Sequence, residues 1–421
     1  MGLSTALTPA NRVHETTRVT KKEVAIDQSL PPILHIVVDE HQGLAGFPRD
    51  IAAGADLAKV IQKRHRDRGF VVYPNAYSSY AQTAFAIPAL INNQAGRAAS
   101  GTLSWTDGVA TAKQNKWLAT LAERGYQVRV YNSNYLDFCQ DDAVSFCQLY
   151  SRNSIQSLID ADLPALEKYR VILDSFGDGV SLFRIAGMVI EGVKAWLFDW
   201  SPNQDPLWQE KAPRLGPLAA FSTIQDLTTD IEEGAAGKAF FVHLILPHYS
   251  YIFEDDCRLV SDVGQWLNRT QRPGYNSPNG RKTRYERYFK QTRCLHTALN
   301  KVYDALASTG FYHKATIIVH GDHGSRIGRF DINAKTINRA SRQDVIDAYS
   351  TFYAVKRPDQ AGAVNLETRS VQDLFGEHFL TASARPENIL YLRDETVGRQ
   401  PSDLSKPLGT VALPPGFPRA P

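Results

Sequence analysis

The adjacent residues Asp322 and His323, flanked by Gly321 and Gly324, offer one carboxylate oxygen and one imidazole nitrogen. These two ligand types together suit a divalent metal ion. Glycine on either side permits backbone angles that other residues avoid and lets a ligand approach closely. A turn with a solvated aspartate and a histidine bonded to the backbone would have the same sequence, so the rest of the chain must decide between the two.

Three other stretches carry side chains that could join such a site. Asp39 and Glu40 follow an apolar run and could be metal ligands or a solvated edge of the fold. Thr83 follows a loop rich in hydroxyl groups and could cap a helix, or face a phosphate or sulfate group at the helix N-terminus. His248 ends another apolar run and could reach a shared site, whereas His243 within that run is expected to be a hydrogen-bonded core residue.

The segments around these residues predict an α/β fold. Apolar, β-branched runs are typical of buried strands in a mainly parallel sheet, and a 3.6-residue period is typical of helices. We predict strands at 33–38, 70–73, 127–131, 238–246 and 316–319, and helices at 50–69, 117–124 and 285–308, the last preceded by a polar loop at 274–284. The expected architecture is a large, mainly parallel central sheet sandwiched by helices. Because the carboxyl ends of parallel strands share one edge, residues hundreds of positions apart can converge there.

The chain is expected to contain one large domain at 31–384. Residues 1–30 read as a polar N-terminal leader, and residues 385–421 as a proline-rich C-terminal tail. The apolar segment 181–200 is either a core-facing helix or an amphipathic segment that lies on a membrane or around a lipid substrate.

Charge and cysteine content limit the class of protein. The net charge of +3 comes from 47 basic and 44 acidic residues without a basic run, so a nucleic-acid partner is not suggested. No apolar stretch is long enough to span a bilayer, and the N-terminus lacks the apolar core of a secretion signal. No histidine or further cysteine lies near Cys139 and Cys147 to complete a zinc site, and we interpret the two as a small disulfide loop rather than two free thiols. A disulfide favours a periplasmic or other extracytoplasmic location, with the cytoplasm as the alternative.

The order of the motifs along the chain resembles that of the sulfatase-like branch of the alkaline phosphatase superfamily. The motifs are a strand ending in acids, a nucleophile loop, a strand ending in histidine and a strand ending in Asp-His-Gly, and the resemblance covers roughly residues 31–380. The most specific part is Asn75-Ala76-Tyr77-Ser78 followed by Thr83-Ala84-Phe85-Ala86-Ile87-Pro88. It is similar to the nucleophile loop of phosphoethanolamine and phosphoglycerol transferases. The stretch 241–251 is similar to the family's His-x-x-x-Pro-His segment.

The resemblance implies a metal-dependent phosphoester transferase or hydrolase, acting on a cell-envelope lipid or glycan headgroup. Thr83 would be the nucleophile, and His248 would face the substrate or a second ion. The implied metal, with zinc favoured over manganese, would be surrounded by Asp39 and Glu40 (one or both), Thr83, Asp322 and His323.

Two alternatives remain open at the level of sequence. A sulfate-ester hydrolase on the same fold is disfavoured, because the chain lacks the Cys/Ser-x-Pro-x-Arg motif that family sulfatases oxidise to formylglycine. A non-catalytic domain that binds a glycan or a partner protein is the other. His378 is the only histidine after His323, whereas many transferases of the family have another histidine soon after Asp-His-Gly. Those that modify lipids usually carry N-terminal membrane helices, so proximity to a membrane would require an anchor outside this sequence.

Overall fold

The structure is a computed structural model that describes residues 16–21, 26–96, 103–106, 109–152, 154–176, 215–266, 277–380, 388–393, 408–415 and 417. The strands are β1 (Thr17–Thr20), β2 (Ile33–Val38), β3 (Val71–Val72), β4 (Leu103–Thr106), β5 (Val109–Ala112), β6 (Gln127–Ser133), β7 (Leu136–Asp137), β8 (Val144–Tyr150), β9 (Lys238–Leu244), β10 (Thr316–Gly321), β11 (Tyr353–Lys356), β12 (Ala363–Val364), β13 (Ile389–Tyr391) and β14 (Thr410–Ala412). The helices are α1 (Ala52–Asp67), α2 (Thr83–Asn92), α3 (Lys116–Glu123), α4 (Ile155–Asp160), α5 (Ala165–Phe176), α6 (Gly216–Glu232), α7 (Pro278–Ser308), α8 (Arg342–Tyr349) and α9 (Val371–Phe379).

Within the described residues, nine strands form the central sheet in the order β1-β8-β6-β9-β2-β10-β11-β3-β12. The five strands from β8 to β10 are parallel to one another, whereas β1 and β11 pair antiparallel with their neighbours. Small sheets are formed by β4, β5 and β7 and by β13 and β14. The predicted α/β class with a large, mainly parallel sheet is confirmed.

Apolar side chains alternate between the two faces of the sheet. Side chains of β2 point alternately to the two faces of the sheet. Leu34 and Ile36 pack with α1, α6 and α7 on one face, and Ile33 and Val37 pack with α2, α3 and α9 on the other. Both faces of the central strands are therefore covered by helices, as their continuous apolar sequence predicts.

The predicted strands and helices are present with small shifts at their ends, except for α7. This helix begins at Pro278, so part of the predicted polar loop 274–284 is helical. Ser277 caps it by accepting a hydrogen bond from the backbone of Gly280, and a proline in the first turn lacks an N–H that the helix would leave unpaired anyway. The prediction used the apolar face of the helix, which starts only at Tyr285, and it therefore placed the start of the helix too late in the sequence.

Both ends of the described chain contribute strands. Thr17–Thr20, within the predicted leader, pairs with β8 at the edge of the sheet, and β13 and β14 from the predicted tail pair with each other. The predicted segment 181–200 lies outside the described residues. In the described part of the chain, no helix combines the length and the apolar composition needed to cross a membrane.

The predicted disulfide between Cys139 and Cys147 is present. A second one, which the sequence did not suggest, joins Cys257 to Cys294 of α7. It ties the loop after β9 to the long helix that packs against α1 and α6.

Candidate active site

Three adjacent strands end at the same level of the sheet. Val38 of β2 pairs with Leu244 of β9 on one side and with Gly321 of β10 on the other. Asp39 and Asp322 follow directly, and the backbone N–H of Asp39 donates to the carbonyl of Leu244 at 2.9 Å. The register of the parallel strands therefore places two carboxylates side by side at the carboxyl edge, where open α/β sheets bind ligands.

Asp39, Asp322 and His323 form a buried cluster whose potential ligand atoms all lie within 4.8 Å of one another. The Nδ1 of His323 is 2.9 Å from the carbonyl of Gly324, to which it donates, so Nε2 presents its lone pair to the two carboxylates. The Oδ1 of Asp39 is buried and makes no hydrogen bond with the described residues. Two carboxylates and a correctly oriented imidazole fit a divalent metal ion such as zinc.

Burial raises the pKa of both aspartates because it disfavours the charged form. For Asp322 the pKa is raised to about 7, with the nearby charge of Asp39 as the second cause. Two carboxylates this close repel each other when both are ionised. A divalent ion held by the cluster would stabilise both in the ionised form.

Thr83 lies against this cluster. Its hydroxyl donates to Oδ2 of Asp322 at 2.6 Å and is 3.3 Å from Nε2 of His323. The residue is the first of α2, whose N-cap is Gln82, so the side chain does not cap the helix. The hydroxyl instead points at the carboxylate.

The loop before Thr83 is fixed by hydrogen bonds to α8 and α9. The backbone of Ser78 donates to the carbonyl of Tyr349 at 2.8 Å. Gln372 accepts from the backbone of Ser79 at 3.0 Å and donates to the hydroxyl of Ser78 at 3.0 Å. These contacts explain how a loop rich in small polar residues holds a hydroxyl in one position.

Glu40 lies at the same edge but outside the cluster. Its Oε1 accepts a hydrogen bond from Nε of Arg326 at 2.8 Å and a second from Nη2 of the same side chain. Nε2 of His248 is 3.6 Å from this oxygen. The structure thus brings Asp39, Thr83, Asp322 and His323 together and places Glu40 and His248 beside them, around a guanidinium.

His248 is carried by the loop after β9, which Gln291 of α7 holds in place. The side-chain amide of Gln291 lies 2.8 Å from the carbonyl of His248 and 3.1 Å from those of Pro247 and Ser250. Its carbonyl accepts from the backbone of Ile252 at 2.8 Å. A single buried side chain therefore satisfies several backbone groups of this loop.

His243 is buried as expected, but its ring makes no hydrogen bond with the part of the chain that the structure describes. Neither ring nitrogen has a hydrogen-bond partner among the described residues, and Nε2 lies 3.6 Å from Oδ2 of Asp39. Burial lowers its pKa to about 4, so the ring is neutral. The imidazole lies beside the candidate metal ligand Asp39.

The chain is similar to several solved structures. One is the C-terminal periplasmic domain of EcEptC from Escherichia coli in complex with Zn, with a TM-score of 0.48 and 10% identity over 94% of this chain and 97% of that one. Another is the phosphonate monoester hydrolase SpPMH from Silicibacter pomeroyi, with a TM-score of 0.44 and 16% identity over 89% of this chain and 78% of that one. The phosphonate monoester hydrolase of Agrobacterium radiobacter has a TM-score of 0.46 and 12% identity over 87% and 82%. No protein-family model and no curated protein sequence matches the chain.

Gly321 and Gly324 are needed for space rather than for unusual backbone angles. Neither has a positive φ, in contrast to the expectation from sequence. A Cβ on Gly321 would collide with the hydroxyl of Thr351 and would lie 2.5 Å from the carbonyl of His41, and one on Gly324 would collide with the carbonyl of Asp347. The glycines let the loops around the cluster pack against one another.

Proposed function

We propose that the chain is a metal-dependent phosphoester transferase or hydrolase with Thr83 as its nucleophile. The observation that carries the proposal is the 2.6 Å hydrogen bond from the Thr83 hydroxyl to Asp322, within a buried cluster of potential metal ligands. A hydroxyl is a weak nucleophile unless a base or a metal activates it. Here a base and a set of metal ligands both adjoin the same oxygen.

Asp39, Asp322 and His323 would hold the metal, for which zinc is favoured and manganese is the alternative. When bound, a divalent ion would lower the pKa of the Thr83 hydroxyl and neutralise charge on the transferred group. The donor set of two carboxylates and one neutral imidazole suits zinc.

The reaction would proceed in two displacements on phosphorus. The Thr83 oxygen attacks the phosphoester, its proton passes to Oδ2 of Asp322, and the bond from phosphorus to the leaving oxygen breaks. The result is a phosphothreonine and a released alcohol, which takes its proton from solvent. Water or an acceptor hydroxyl then attacks phosphorus and loses its proton to solvent, while Asp322 returns its proton to the Thr83 oxygen as the phosphorus–oxygen bond to Thr83 breaks. The position of Asp322 suits this role, since its Oδ2 already accepts the hydrogen bond of the Thr83 hydroxyl at 2.6 Å.

His248 would contact the substrate. Its side chain retains 15% exposure in an otherwise buried site, and it lies next to Glu40 and Arg326. The resemblance of the 75–88 loop favours a headgroup of a cell-envelope lipid or glycan as the substrate. The two disulfides favour an extracytoplasmic location, in agreement with such a substrate.

The test combines activity with detection of the intermediate. Metal-loaded protein is offered nitrophenyl phosphate mono- and diesters and nitrophenyl sulfate, and the peptide containing Thr83 is examined by mass spectrometry. We expect turnover of a phosphate ester, an adduct on Thr83, and loss of both in Thr83→Ala. Full activity of Thr83→Ala would refute the proposal, and a strong preference for nitrophenyl sulfate would favour sulfate-ester hydrolysis. Absence of bound zinc or manganese, with no thermal shift on adding either, would favour a non-catalytic binding domain.

A further inference from the structure

Arg326 introduces a fixed positive charge next to the candidate metal cluster. It follows His323 by three positions, and its side chain is only 13% exposed. Its backbone is in the left-handed region, with φ of 51°, and its N–H donates to the carbonyl of Asp347 at 2.6 Å. Non-glycine residues avoid this region, so the surrounding structure holds the residue in place.

The guanidinium of Arg326 is hydrogen-bonded to the carboxylate of Glu40. Among the described residues, its side-chain hydrogen bonds come from Nε, at 2.8 Å, and Nη2, and both reach the same Oε1 atom. A carboxylate bonded in this way has its charge compensated without a metal ion. Since arginine carries five N–H groups, the remaining ones are available for another anion.

Without the guanidinium, the same place would suit a cation. Glu40 Oε1 and His248 Nε2 are 3.6 Å apart, and Glu40 directly follows the candidate metal ligand Asp39 in the chain. A carboxylate and an imidazole at this separation are a common pair of ligands for a divalent ion. Arg326 thus lies where a second ion would otherwise find its ligands.

We propose that Arg326 takes the place of a second metal ion. The site then binds one divalent ion per chain, and the guanidinium binds oxygens of the substrate's phosphoryl group. The inference rests on the proposed function, which it deepens by assigning the anion-binding group. Arginine suits this role, because it stays charged when buried and bonds phosphate oxygens in a planar fork.

Metal stoichiometry tests the inference independently of turnover. Metal-stripped protein is titrated with zinc by calorimetry, and its metal content is measured after dialysis. We expect one ion per chain in the wild type and in Glu40→Gln. Arg326→Ala should bind a second ion through the released Glu40 and His248, and the double variant with Glu40→Gln should lose it again. Arg129→Ala is the matched control, since it breaks a different arginine–carboxylate pair, between the start of β6 and Asp230 of α6. It should keep one ion.

Binding of inorganic phosphate to the zinc-loaded protein supplies a second measurement. Loss of a charge-assisted pair should weaken phosphate binding about 10- to 100-fold in Arg326→Ala, and less in Arg326→Lys, which keeps the charge. Two zinc ions bound to the wild type, or loss of the single ion in Glu40→Gln, would overturn the inference. The number of ions bound to the wild type decides the question even if Arg326→Ala fails to fold. One ion per chain without an adduct on Thr83 would support the stoichiometry while refuting the nucleophile. Absence of any bound ion would refute both.

Discussion

The hydroxyl of Thr83 donates a hydrogen bond of 2.6 Å to the carboxylate of Asp322, although the two residues are 239 positions apart. Thr83 begins α2, whereas Asp322 follows the end of β10. The parallel sheet brings these element ends to one edge, where the proposed nucleophile and the proposed base lie in contact beside potential metal ligands.

Two substitutions of Thr83 should distinguish the contribution of its hydroxyl to activity from that of its side-chain volume. Thr83→Val keeps the volume but removes the donor, so we expect activity to fall by roughly 10³-fold or more, as for the loss of other nucleophiles. Thr83→Ser keeps the hydroxyl and should retain measurable activity. Steady-state kinetics on a phosphate ester checks both, with circular dichroism to verify folding. Comparable rates for the valine and serine variants would contradict the role of the hydroxyl.

The strand ends could be predicted from sequence because each one is a short apolar run that stops at a polar residue. The run Ile33–Val38 matches β2 without error, and β10 differs from its prediction only at the last residues. Strands buried on both faces leave a continuous apolar signal that survives without an alignment. The predicted convergence of Asp39, Thr83, Asp322 and His323 followed from this signal together with the family resemblance.

The partners of the site could not be predicted in the same way. Arg326 pairs with Glu40 from a backbone in the left-handed region, which the sequence does not indicate at a non-glycine residue. His243 had a weak signal, as a polar residue inside an apolar strand, but its proximity to Asp39 depends on the register between β2 and β9. Gln291 is one polar residue among many in α7, and its role depends on where the loop after β9 meets the helix.

Gln291→Ala should reduce both stability and activity. The change leaves backbone groups of the loop 247–253 buried without a partner, which costs about 1–3 kcal/mol for each group that water cannot reach. Because this loop carries His248, we expect kcat/KM to fall as well. Thr292→Val is the control, since the hydroxyl of this neighbour donates to the carbonyl of Tyr288 within its own helix and not to the loop. Urea unfolding and kinetics should show the larger loss in Gln291→Ala, and equal effects in the two variants would argue against the proposed contact with the loop.

The two disulfides should differ in their contribution to stability. Cys257–Cys294 encloses 37 positions and Cys139–Cys147 only 8. Loop-closure entropy predicts a stabilisation of about 4 kcal/mol for the longer loop and about 2.5 kcal/mol for the shorter one. Paired Cys→Ser variants, compared by urea unfolding, test the order. A greater loss for the Cys139–Cys147 pair would show that chain entropy is not the main cause.

Acid should destabilise the protein through buried histidines away from the metal cluster. Burial lowers the pKa of His65 to about 4, and it also lowers that of the neighbouring His296, whose ring centroid lies 5.1 Å away. As the pH falls below the unfolded value of about 6.5, the unfolded chain binds protons that the folded chain does not, so stability decreases until about pH 4. His65→Leu should flatten this slope by up to about 1.4 kcal/mol per pH unit in metal-free protein. Exposed His313→Leu is the control, and an unchanged slope in His65→Leu would contradict the assignment.

His243→Phe should weaken metal binding while leaving the metal-free protein at least as stable. The buried imidazole has no hydrogen bond among the described residues, so an apolar ring of similar size removes an unsatisfied polar group. Its Nε2 is 3.6 Å from Asp39 Oδ2, and groups that support metal ligands typically contribute about 10- to 100-fold to affinity. Zinc competition measures the affinity, and thermal unfolding with and without zinc measures the stability. His35→Phe is the control, because it removes a histidine whose Nε2 is 2.8 Å from that of His320, and it should lower stability in the metal-free state. An unchanged zinc affinity in His243→Phe would mean that the ring only fills space behind Asp39.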